Sequence, residues 1–150
     1  MIRRKPQAII FDLDGTLCEC EHRVHYMRER PKRREEFHSA CIFDGVVAAV
    51  KALIDMAETS GIKVILLSAR PIRFKALTEE WLTKNAIYYD QLILSSYPEL
   101  SDPEYKIKMY RELIEPFYDV IFAIDDRDTV VRMWRDNGVT CLDIANNHFS

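Results

Sequence analysis

The sequence is poor in glycine, proline and cysteine, and it lacks any long apolar run. Its 150 residues include 4 glycines, 6 prolines and 4 cysteines. So little glycine and proline argues against a disordered chain, and so few cysteines cannot form a disulfide scaffold at this length. No stretch approaches the roughly 18 apolar residues of a membrane span, and the N-terminus lacks the apolar segment of a signal peptide. We therefore expect an ordered, cytoplasmic protein with reduced thiols and no membrane contact.

A strong net charge is also absent. The 21 basic and 24 acidic side chains leave a formal charge of -3 at pH 7. The molecule as a whole therefore has no general attraction for nucleic acid or for an anionic membrane, and any such affinity has to come from a local patch. The length suits one domain of ordinary size, so we expect residues 1–150 to form a single domain.

Short apolar runs alternate with helical patterns along the chain. The predicted strands, rich in β-branched and aromatic residues, span 8–11, 63–67, 92–94, 120–124 and 141–144. Predicted helices span 44–60 and 73–85, a third begins at Asp102, and a fourth ends near Gly138, with Asp44 and Asp102 as the expected N-caps. Alternating strands and helices imply parallel β-α-β units, so we predict an α/β fold: a three-layer, Rossmann-like parallel sheet of about five strands.

Residues 17–43 show no clear periodicity and carry the densest charge in the sequence. We expect an exposed loop or a small insertion there, with room for a short helix. Its basic side chains include Arg28, Arg30, Lys32, Arg33 and Arg34. Two interpretations stay open: a solvated face of mixed charge, or a patch that approaches a polyanion.

The same region holds a group of cysteines and histidines. Its members are Cys18, Cys20, His22, His25, His38 and Cys41. Thiolates and imidazoles are the usual ligands of structural zinc, so a zinc site is one interpretation. Because the spacing does not match paired C-x-x-C knuckles, we favour small buried thiols and surface histidines.

Polar side chains follow three of the predicted strands at the point where each strand ends. They are Asp12 and Asp14 after the first strand, Ser68 and Arg70 after the second, and Asp125 and Asp126 after the fourth. Parallel strands bring such ends to one edge of the sheet, where ligands bind. Four carboxylates in one cleft repel one another unless a cation lies between them, and Mg²⁺ prefers such oxygen ligands and shares a phosphate oxygen. Because Ser68, Arg70 and Lys106 offer hydrogen bonds and positive charge, the sequence predicts a magnesium-dependent phosphate site.

These motifs resemble those of the haloacid dehalogenase superfamily of phosphotransferases. The resemblance rests on the run from Phe11 to Thr16, on Ser68 and Lys106, and on the pair Asp125-Asp126. It implies that Asp12 attacks phosphorus and forms an aspartyl-phosphate. It also implies that Asp14 protonates the leaving oxygen and later deprotonates the attacking water.

The resemblance further implies a metal site and a set of groups that stabilise charge. Mg²⁺ would be held by Asp12, the backbone carbonyl of Asp14, and Asp125 or Asp126. The charge of the transferring phosphoryl group would be stabilised by Ser68, Arg70 and Lys106.

The segment 117–141 is similar to the 3'-phosphatase domain of bacteriophage polynucleotide kinase-phosphatases. Arg23 lies at the spacing from Asp12 at which that family keeps a functional arginine, and Arg70 and Asp102 match two further positions. The resemblance therefore implies catalytic roles for Arg23 and Asp102, although a loop arginine and a simple helix cap stay open as alternatives. No G-x-x-x-x-G-K-[ST] P-loop occurs, so 5'-kinase activity is not predicted.

About 27 residues are available for an insertion between the first motif and the helix predicted at 44, so we expect no large cap over the site. An open cleft suits a phosphate at the end of a polymer. We therefore expect Mg²⁺-dependent removal of 3'-phosphates from DNA or RNA ends. A small-molecule phosphatase such as a nucleotidase is the alternative, and a non-catalytic binding protein is a remote one. For partners, the resemblance suggests self-association into a homo-oligomer, and a separate kinase and ligase in the same repair pathway.

Overall fold

The computed structural model describes residues 4–145. In chain order its strands are β1 (Gln7–Phe11), β2 (Cys18–Glu19), β3 (Gly45–Val46), β4 (Lys63–Pro71), β5 (Gln91–Ser95), β6 (Asp119–Asp125) and β7 (Cys141–Asp143). The α-helices are α1 (Glu21–Arg28), α2 (Arg34–Ser39), α3 (Ala48–Thr59), α4 (Lys75–Lys84), α5 (Asp102–Met109) and α6 (Asp128–Asp136). Short 3₁₀ turns occupy Ala40–Phe43 and Ile72–Phe74, and a π-helical turn, Tyr110–Ile114, follows α5. Within this range, no helix combines the length and the apolar character that crossing a membrane requires.

Five of the strands form one sheet in the order β5-β4-β1-β6-β7. Every neighbouring pair in it is parallel. The predicted α/β fold and its five strands are therefore confirmed. The main difference is β4, which continues past Leu67 to Pro71, where it pairs with Ser95 after a shift in register. The polar residues at 68 and 70 hid this extension, because they interrupt the apolar run while the backbone stays extended.

Two apolar cores cover opposite faces of the sheet. Along β1, Ile9 and Phe11 pack on the face covered by α3 and α4, whereas Ala8 and Ile10 pack on the face covered by α5 and α6. Successive side chains of a strand point to opposite faces, so a strand buried on both faces reads as a continuous apolar run. The three predicted layers follow from this alternation.

The sheet changes direction at β1. The chain first builds outward through β4 and β5 and then returns to β6 on the other side of β1. A crevice forms at such a switch point, outside the carboxyl ends of the strands. Asp12 directly follows β1, and Asp125 ends β6. The fold therefore brings the carboxylates of two distant segments to one place.

Residues 18–46, which we call the inserted module, are folded rather than forming an exposed loop. β2 and β3 close its base as an antiparallel ribbon, with Cys18 opposite Val46 and Glu19 opposite Gly45. The helices α1 and α2 and a 3₁₀ turn lie between the two strands. Of the two alternatives for residues 17–43, the exposed loop is wrong; the structure shows a small folded insertion with two α-helices in place of one short helix.

Both predicted N-caps are wrong. Helix α3 begins at Ala48, because Gly45 and Val46 belong to β3, and the Asp44 carboxylate binds Arg23 instead. Helix α5 is capped by Ser101, whose Oγ accepts from the Glu104 amide while Glu104 Oε1 accepts from the Ser101 amide. This reciprocal capping box leaves the Asp102 carboxylate available for another contact.

Candidate active site

A cavity of about 210 Å³ lies at the carboxyl ends of β1, β4 and β6, beside the inserted module. Its lining combines carboxylates, cations and a few apolar side chains. The lining residues are Asp12, Asp14, Met27, Phe37, His38, Ser68, Ala69, Arg70, Asp102, Asp126 and Arg127. Residues predicted from three separate strand ends therefore meet in one cavity.

Lys106 organises the first cluster of charges. Its Nζ donates to Asp125 Oδ2 at 2.7 Å and to Asp12 Oδ1 at 3.0 Å, and it lies 3.4 Å from Asp102 Oδ1. The side chain is buried, with 1% of its surface exposed. Burial would lower the pKa of Lys106, but Asp102, Asp12 and Asp125 outweigh that effect and raise it well above its usual value. Lys106 is therefore a permanent cation at the base of the cavity.

Three carboxylates in this cluster lie close enough to one another to bind a metal ion. One oxygen from each of Asp12, Asp125 and Asp126 lies within 4.8 Å of the others. Burial raises the pKa of Asp12 well above its usual value, and the charges of Asp125 and Asp126 raise it further. Burial also raises the pKa of Asp125 and of Asp126. A divalent cation would relieve the repulsion that these shifts report.

The charge balance of this cluster fits such a cation. Asp12, Asp102, Asp125 and Asp126 contribute four negative charges, against the positive charges of Lys106 and of Arg127, whose Nη1 lies 3.5 Å from Asp102 Oδ2. When all four carboxylates are ionised, two negative charges are left uncompensated, and all the available donors are hard oxygen atoms. This is the donor chemistry that Mg²⁺ prefers.

Backbone amides hold Asp125, and the Thr16 hydroxyl holds Asp12 and Asp126. Asp125 Oδ1 accepts from the amides of Asp126 and Arg127 at 2.9 and 3.1 Å, at the start of α6. The Thr16 hydroxyl lies 3.2 Å from both Asp12 Oδ2 and Asp126 Oδ1. The turn before it requires Gly15, which has φ +85° and whose added β-carbon would lie 2.2 Å from Asp126 Oδ2. The loop after β1 is thereby tied to the loop after β6.

Asp14 belongs to a second cluster, which is dominated by arginines. Asp14 Oδ1 accepts from Arg23 Nη2 and, at 2.5 Å, from Arg70 Nη2. Burial would raise the pKa of Asp14, but Arg70 and Arg23 outweigh it and hold the pKa far below its ordinary range. Asp14 is therefore fully ionised in this arrangement and has no proton to donate until an arginine moves away.

Arg23 joins the inserted module to the catalytic loop. It is fully buried, and besides Asp14 it donates through Nε to Asp44 Oδ1 at 2.8 Å and through Nη2 to Asp44 Oδ2 at 2.6 Å. Its Nη1 donates to the Phe37 carbonyl at 3.1 Å. The Asp44 carbonyl in turn accepts from Trp81 Nε1 at 2.8 Å. One guanidinium thus connects α1, α2, the end of the module and the loop after β1.

Arg70 joins Asp14 to helix α4, as Arg23 joins Asp14 to the inserted module. Its Nη1 donates to Thr78 Oγ1 at 2.8 Å, and the Thr78 hydroxyl donates to the Phe74 carbonyl at the start of α4. The Ser68 hydroxyl accepts from the Arg70 amide at 3.1 Å and lines the cavity beside Asp12. Residues 68 to 70 therefore present a hydroxyl and a cation to the cavity from the extension of β4.

The structure brings together every residue predicted for the site. Asp12, Asp102, Lys106, Asp125 and Asp126 form one cluster, Asp14, Arg23 and Arg70 form the other, and Ser68 lies between them. Sequence reasoning missed three members: Asp44, Thr16 and Arg127. Thr16 and Arg127 lie close to predicted site residues in the sequence, and that position could have identified them. No local sequence pattern marks Asp44 as the partner of Arg23.

The zinc interpretation finds no support in the structure. Among the described residues, no three cysteine and histidine ligand atoms lie close enough to share an ion. Cys18 does lie within ligand distance of Asp14 and Asp44, but Arg23 binds both of those carboxylates. All four cysteines are buried thiols, as favoured, and His22 binds Asp44 Oδ1 at 2.6 Å. His38 departs from the expectation of a surface residue, because it is half-buried in the wall of the cavity.

The fold and the site define a phosphatase of the haloacid dehalogenase type. A haloacid dehalogenase-like protein of Streptococcus pneumoniae shares the fold at 15% identity, with a TM-score of 0.64 over 92% of this chain and 84% of that chain. Within this type of phosphatase, residues 6–149 match the family model of the polynucleotide kinase PNKP phosphatase domain. The chain belongs to that family.

Two relatives are larger proteins. A chain in the structure of the Pnkp1/Rnl/Hen1 RNA repair complex is 34% identical, with a TM-score of 0.83 over 94% of this chain and 43% of its own length. A viral protein named as a bifunctional polynucleotide kinase/RNA ligase, from Autographa californica nuclear polyhedrosis virus, is 29% identical over 136 residues. That match covers 87% of this chain and 18% of the viral protein. The chain therefore spans less than half the length of either relative.

Proposed function

We propose that this phosphatase removes 3'-phosphates from the ends of DNA or RNA. The observation that carries the proposal is Asp12, a buried carboxylate that Lys106 and Thr16 hold at the floor of a cavity whose walls carry Arg70 and Ser68. Membership of the polynucleotide kinase PNKP phosphatase domain family supports a polynucleotide end as the substrate.

The proposed chemistry has two steps that exchange bonds at phosphorus. In the first, an Asp12 oxygen attacks phosphorus, the bond from phosphorus to the 3'-oxygen breaks, and Asp14 gives that oxygen a proton. In the second, water attacks the aspartyl-phosphate, Asp14 takes the proton of the water, and inorganic phosphate leaves with Asp12 restored. Lys106, Arg70 and Ser68 stabilise the negative charge that spreads over the transferring oxygens.

Asp14 becomes able to donate a proton only when its contact with Arg70 weakens. A phosphate dianion in the cavity competes with Asp14 for the guanidinium of Arg70, which also lines the cavity. As that contact weakens, the main group that lowers the pKa of Asp14 is withdrawn, and burial raises the pKa again. In this proposal Asp14 takes up a proton from solvent when the substrate binds, and it donates that proton to the leaving 3'-oxygen.

The carboxylates also support Mg²⁺ as the cofactor. Asp12 and Asp126, with the Asp14 backbone carbonyl, would hold the ion, while Asp125 is already anchored by Lys106 and two amides. When bound, Mg²⁺ neutralises charge on the phosphate oxygens and orients them toward the nucleophile.

Adding Mg²⁺ to the metal-free protein should raise its Tm. The pKa values of Asp12, Asp125 and Asp126 are raised by folding, so these groups oppose folding at neutral pH and do so less as pH falls through their folded pKa values. Mg²⁺ at 100 times its Kd contributes about 2.7 kcal/mol, which corresponds to a Tm shift of about 5–11 °C. Differential scanning fluorimetry at pH 7 and at lower pH measures the shift, which should shrink with acidity.

Two variants test whether the shift comes from this cluster. Asp126→Asn should lose most of the Mg²⁺-dependent rise in Tm, whereas Asp136→Asn, an exposed change on α6, should keep it. An equal shift in both variants would place the ion elsewhere.

A panel of substrates tests the proposed function. With Mg²⁺ present, 3'-phosphorylated oligonucleotides should give kcat/KM values roughly tenfold or more above those of 3'-mononucleotides and p-nitrophenyl phosphate, because a polymer offers additional contacts. Oligonucleotides with 5'-phosphate or 2',3'-cyclic ends should react poorly. Equal rates on polymer and monomer would favour a nucleotidase instead, and no phosphate release from any substrate would favour a binding protein.

Further parts of the proposal concern domain organisation, location and partners. We propose one domain over residues 1–150, supported by the family match from 6 to 149. The buried thiols support a reducing, cytoplasmic location. The RNA repair complex and the viral kinase/ligase among the relatives support a separate kinase and ligase as functional partners. Self-association stays a prediction, to be checked by light scattering.

A further inference from the structure

A second and larger groove adjoins the catalytic cavity. It has a volume of about 710 Å³, against about 210 Å³ for the catalytic cavity. His38 and Ala69 line both spaces, so the groove begins at the wall of the cavity. Volumes in the range of roughly 300–1,000 Å³ hold organic ligands of ordinary size. A group attached to a phosphate in the cavity therefore has a direct path into the groove.

One side of the groove is cationic. Arg34, at the start of α2, and Arg73, in the turn before α4, both line it. Arg34 is exposed and makes no ion pair within residues 4–145. Arg73 pairs with Glu35 at 2.8 Å, but the two side chains are 60% and 64% exposed, and such pairs contribute little. Both guanidinium groups are therefore able to bind a phosphodiester.

The floor and the opposite side are apolar and aromatic. Pro71 ends the extension of β4 and Ile72 directly follows it, and 52% of the Ile72 surface is exposed. Tyr97 and Pro98, on the loop between β5 and α5, also line the groove. A large exposed aliphatic side chain next to a catalytic cavity is a surface on which a flat ring can pack. Stacking or apolar surfaces beside cations are the usual composition of sites for single-stranded nucleic acid.

His38 forms the boundary between the two spaces. Its ring packs near Phe74, with centroids 5.2 Å apart. Burial lowers the pKa of His38 to about 4, so the ring is neutral at pH 7. The boundary is therefore an uncharged, flat wall, which suits a sugar or a base better than a second phosphate.

We infer that this groove binds the unpaired 3'-terminal nucleotide of the substrate strand. Its base packs on Pro71 and Ile72, its 3'-phosphate enters the catalytic cavity past His38 and Ala69, and the preceding phosphodiester binds Arg34 and Arg73. This inference rests on the proposed function and assigns the residues that distinguish a polymer from a small phosphate ester.

Two exposed substitutions test the assignment. Arg34→Gln removes a cation from the groove, and Ile72→Ser removes the apolar floor. Lys84→Gln and Met56→Ser are matched controls on exposed parts of α4 and α3 outside the groove. For each protein, the ratio of kcat/KM on a 3'-phosphorylated dinucleotide to kcat/KM on p-nitrophenyl phosphate is measured at several salt concentrations.

The expected effects are specific to the groove variants. Arg34→Gln should lower the ratio about tenfold and reduce its log–log salt slope by about 0.7, the value for one phosphate contact on a single strand. Ile72→Ser should lower the ratio about fivefold and leave the salt slope unchanged, and both controls should keep the wild-type ratio.

The outcomes separate this inference from the proposed function. If the wild-type enzyme prefers 3'-phosphorylated oligonucleotides in the substrate panel but both groove variants keep its ratio, the groove is not the binding site and the proposed function stands. If the wild-type enzyme shows no preference for these oligonucleotides, the proposed function fails and the groove assignment fails with it.

Discussion

Replacing Asp12 with asparagine should abolish turnover and leave the folded protein at least as stable as the wild type. An amide cannot form the acyl-phosphate, and loss of a covalent nucleophile costs roughly 10⁴-fold or more in rate. The amide also removes a buried charge whose pKa is raised by burial and by Asp125, so repulsion in the cluster falls. Lys106 keeps Asp125 and Asp102 as partners.

Phosphate release from a 3'-phosphorylated oligonucleotide measures the first effect, and the Tm of the metal-free protein measures the second. Asp136→Asn, the exposed substitution on α6, is the control and should change neither quantity. Turnover of the Asp12→Asn variant within tenfold of wild type would rule out Asp12 as the nucleophile and point to attack by water.

Replacing Arg23 with alanine should destabilise the fold strongly. The substitution removes the arginine partner of two carboxylates. Asp44, whose side chain is fully buried, then keeps its ion pair with His22, and Asp14 keeps its ion pair with Arg70. Breaking a buried ion pair by removing one partner costs about 3–5 kcal/mol in free energy of unfolding. Urea denaturation measures that loss.

A double-mutant cycle shows whether the loss comes from the pair itself. In Arg23→Ala/Asp44→Ala the stranded charge is absent, so the double variant should be more stable than the sum of the two single losses implies. Arg28→Ala, an exposed arginine on the same helix, should cost less than about 0.5 kcal/mol. Additive losses in the cycle would show that Arg23 and Asp44 stabilise the fold independently.

The sheet and most of the site could be predicted from sequence because their signals are local. Runs such as 8–11 and 120–124 are buried on both faces and read as strands wherever they occur. Parallel pairing then places Asp12, Ser68 and Asp125 at one edge without any knowledge of their contacts. The motif residues could therefore be identified from the sequence alone.

The inserted module could not be predicted in the same way, because polar contacts in its interior replace part of an apolar stripe. Helix α1 buries Arg23 beside Val24, and the Arg23 guanidinium lies 4.4 Å from the centre of the Phe37 ring. A helix that turns a charged residue inward shows no hydrophobic period. Its partner Asp44 lies 21 residues away and beside a glycine, where a helix cap is the ordinary expectation.

In the proposed mechanism, the contact between Asp14 and Arg70 also makes proton uptake part of substrate binding. The carboxylate is ionised before a phosphate arrives, and it accepts a proton as the guanidinium of Arg70 turns to the ligand. By thermodynamic linkage, a site that gains a proton on binding holds its ligand more tightly as pH falls. Hydrogen ions therefore act as a co-ligand of the phosphate dianion, and the Kd of product phosphate, calculated for the dianion, should fall as the pH is lowered.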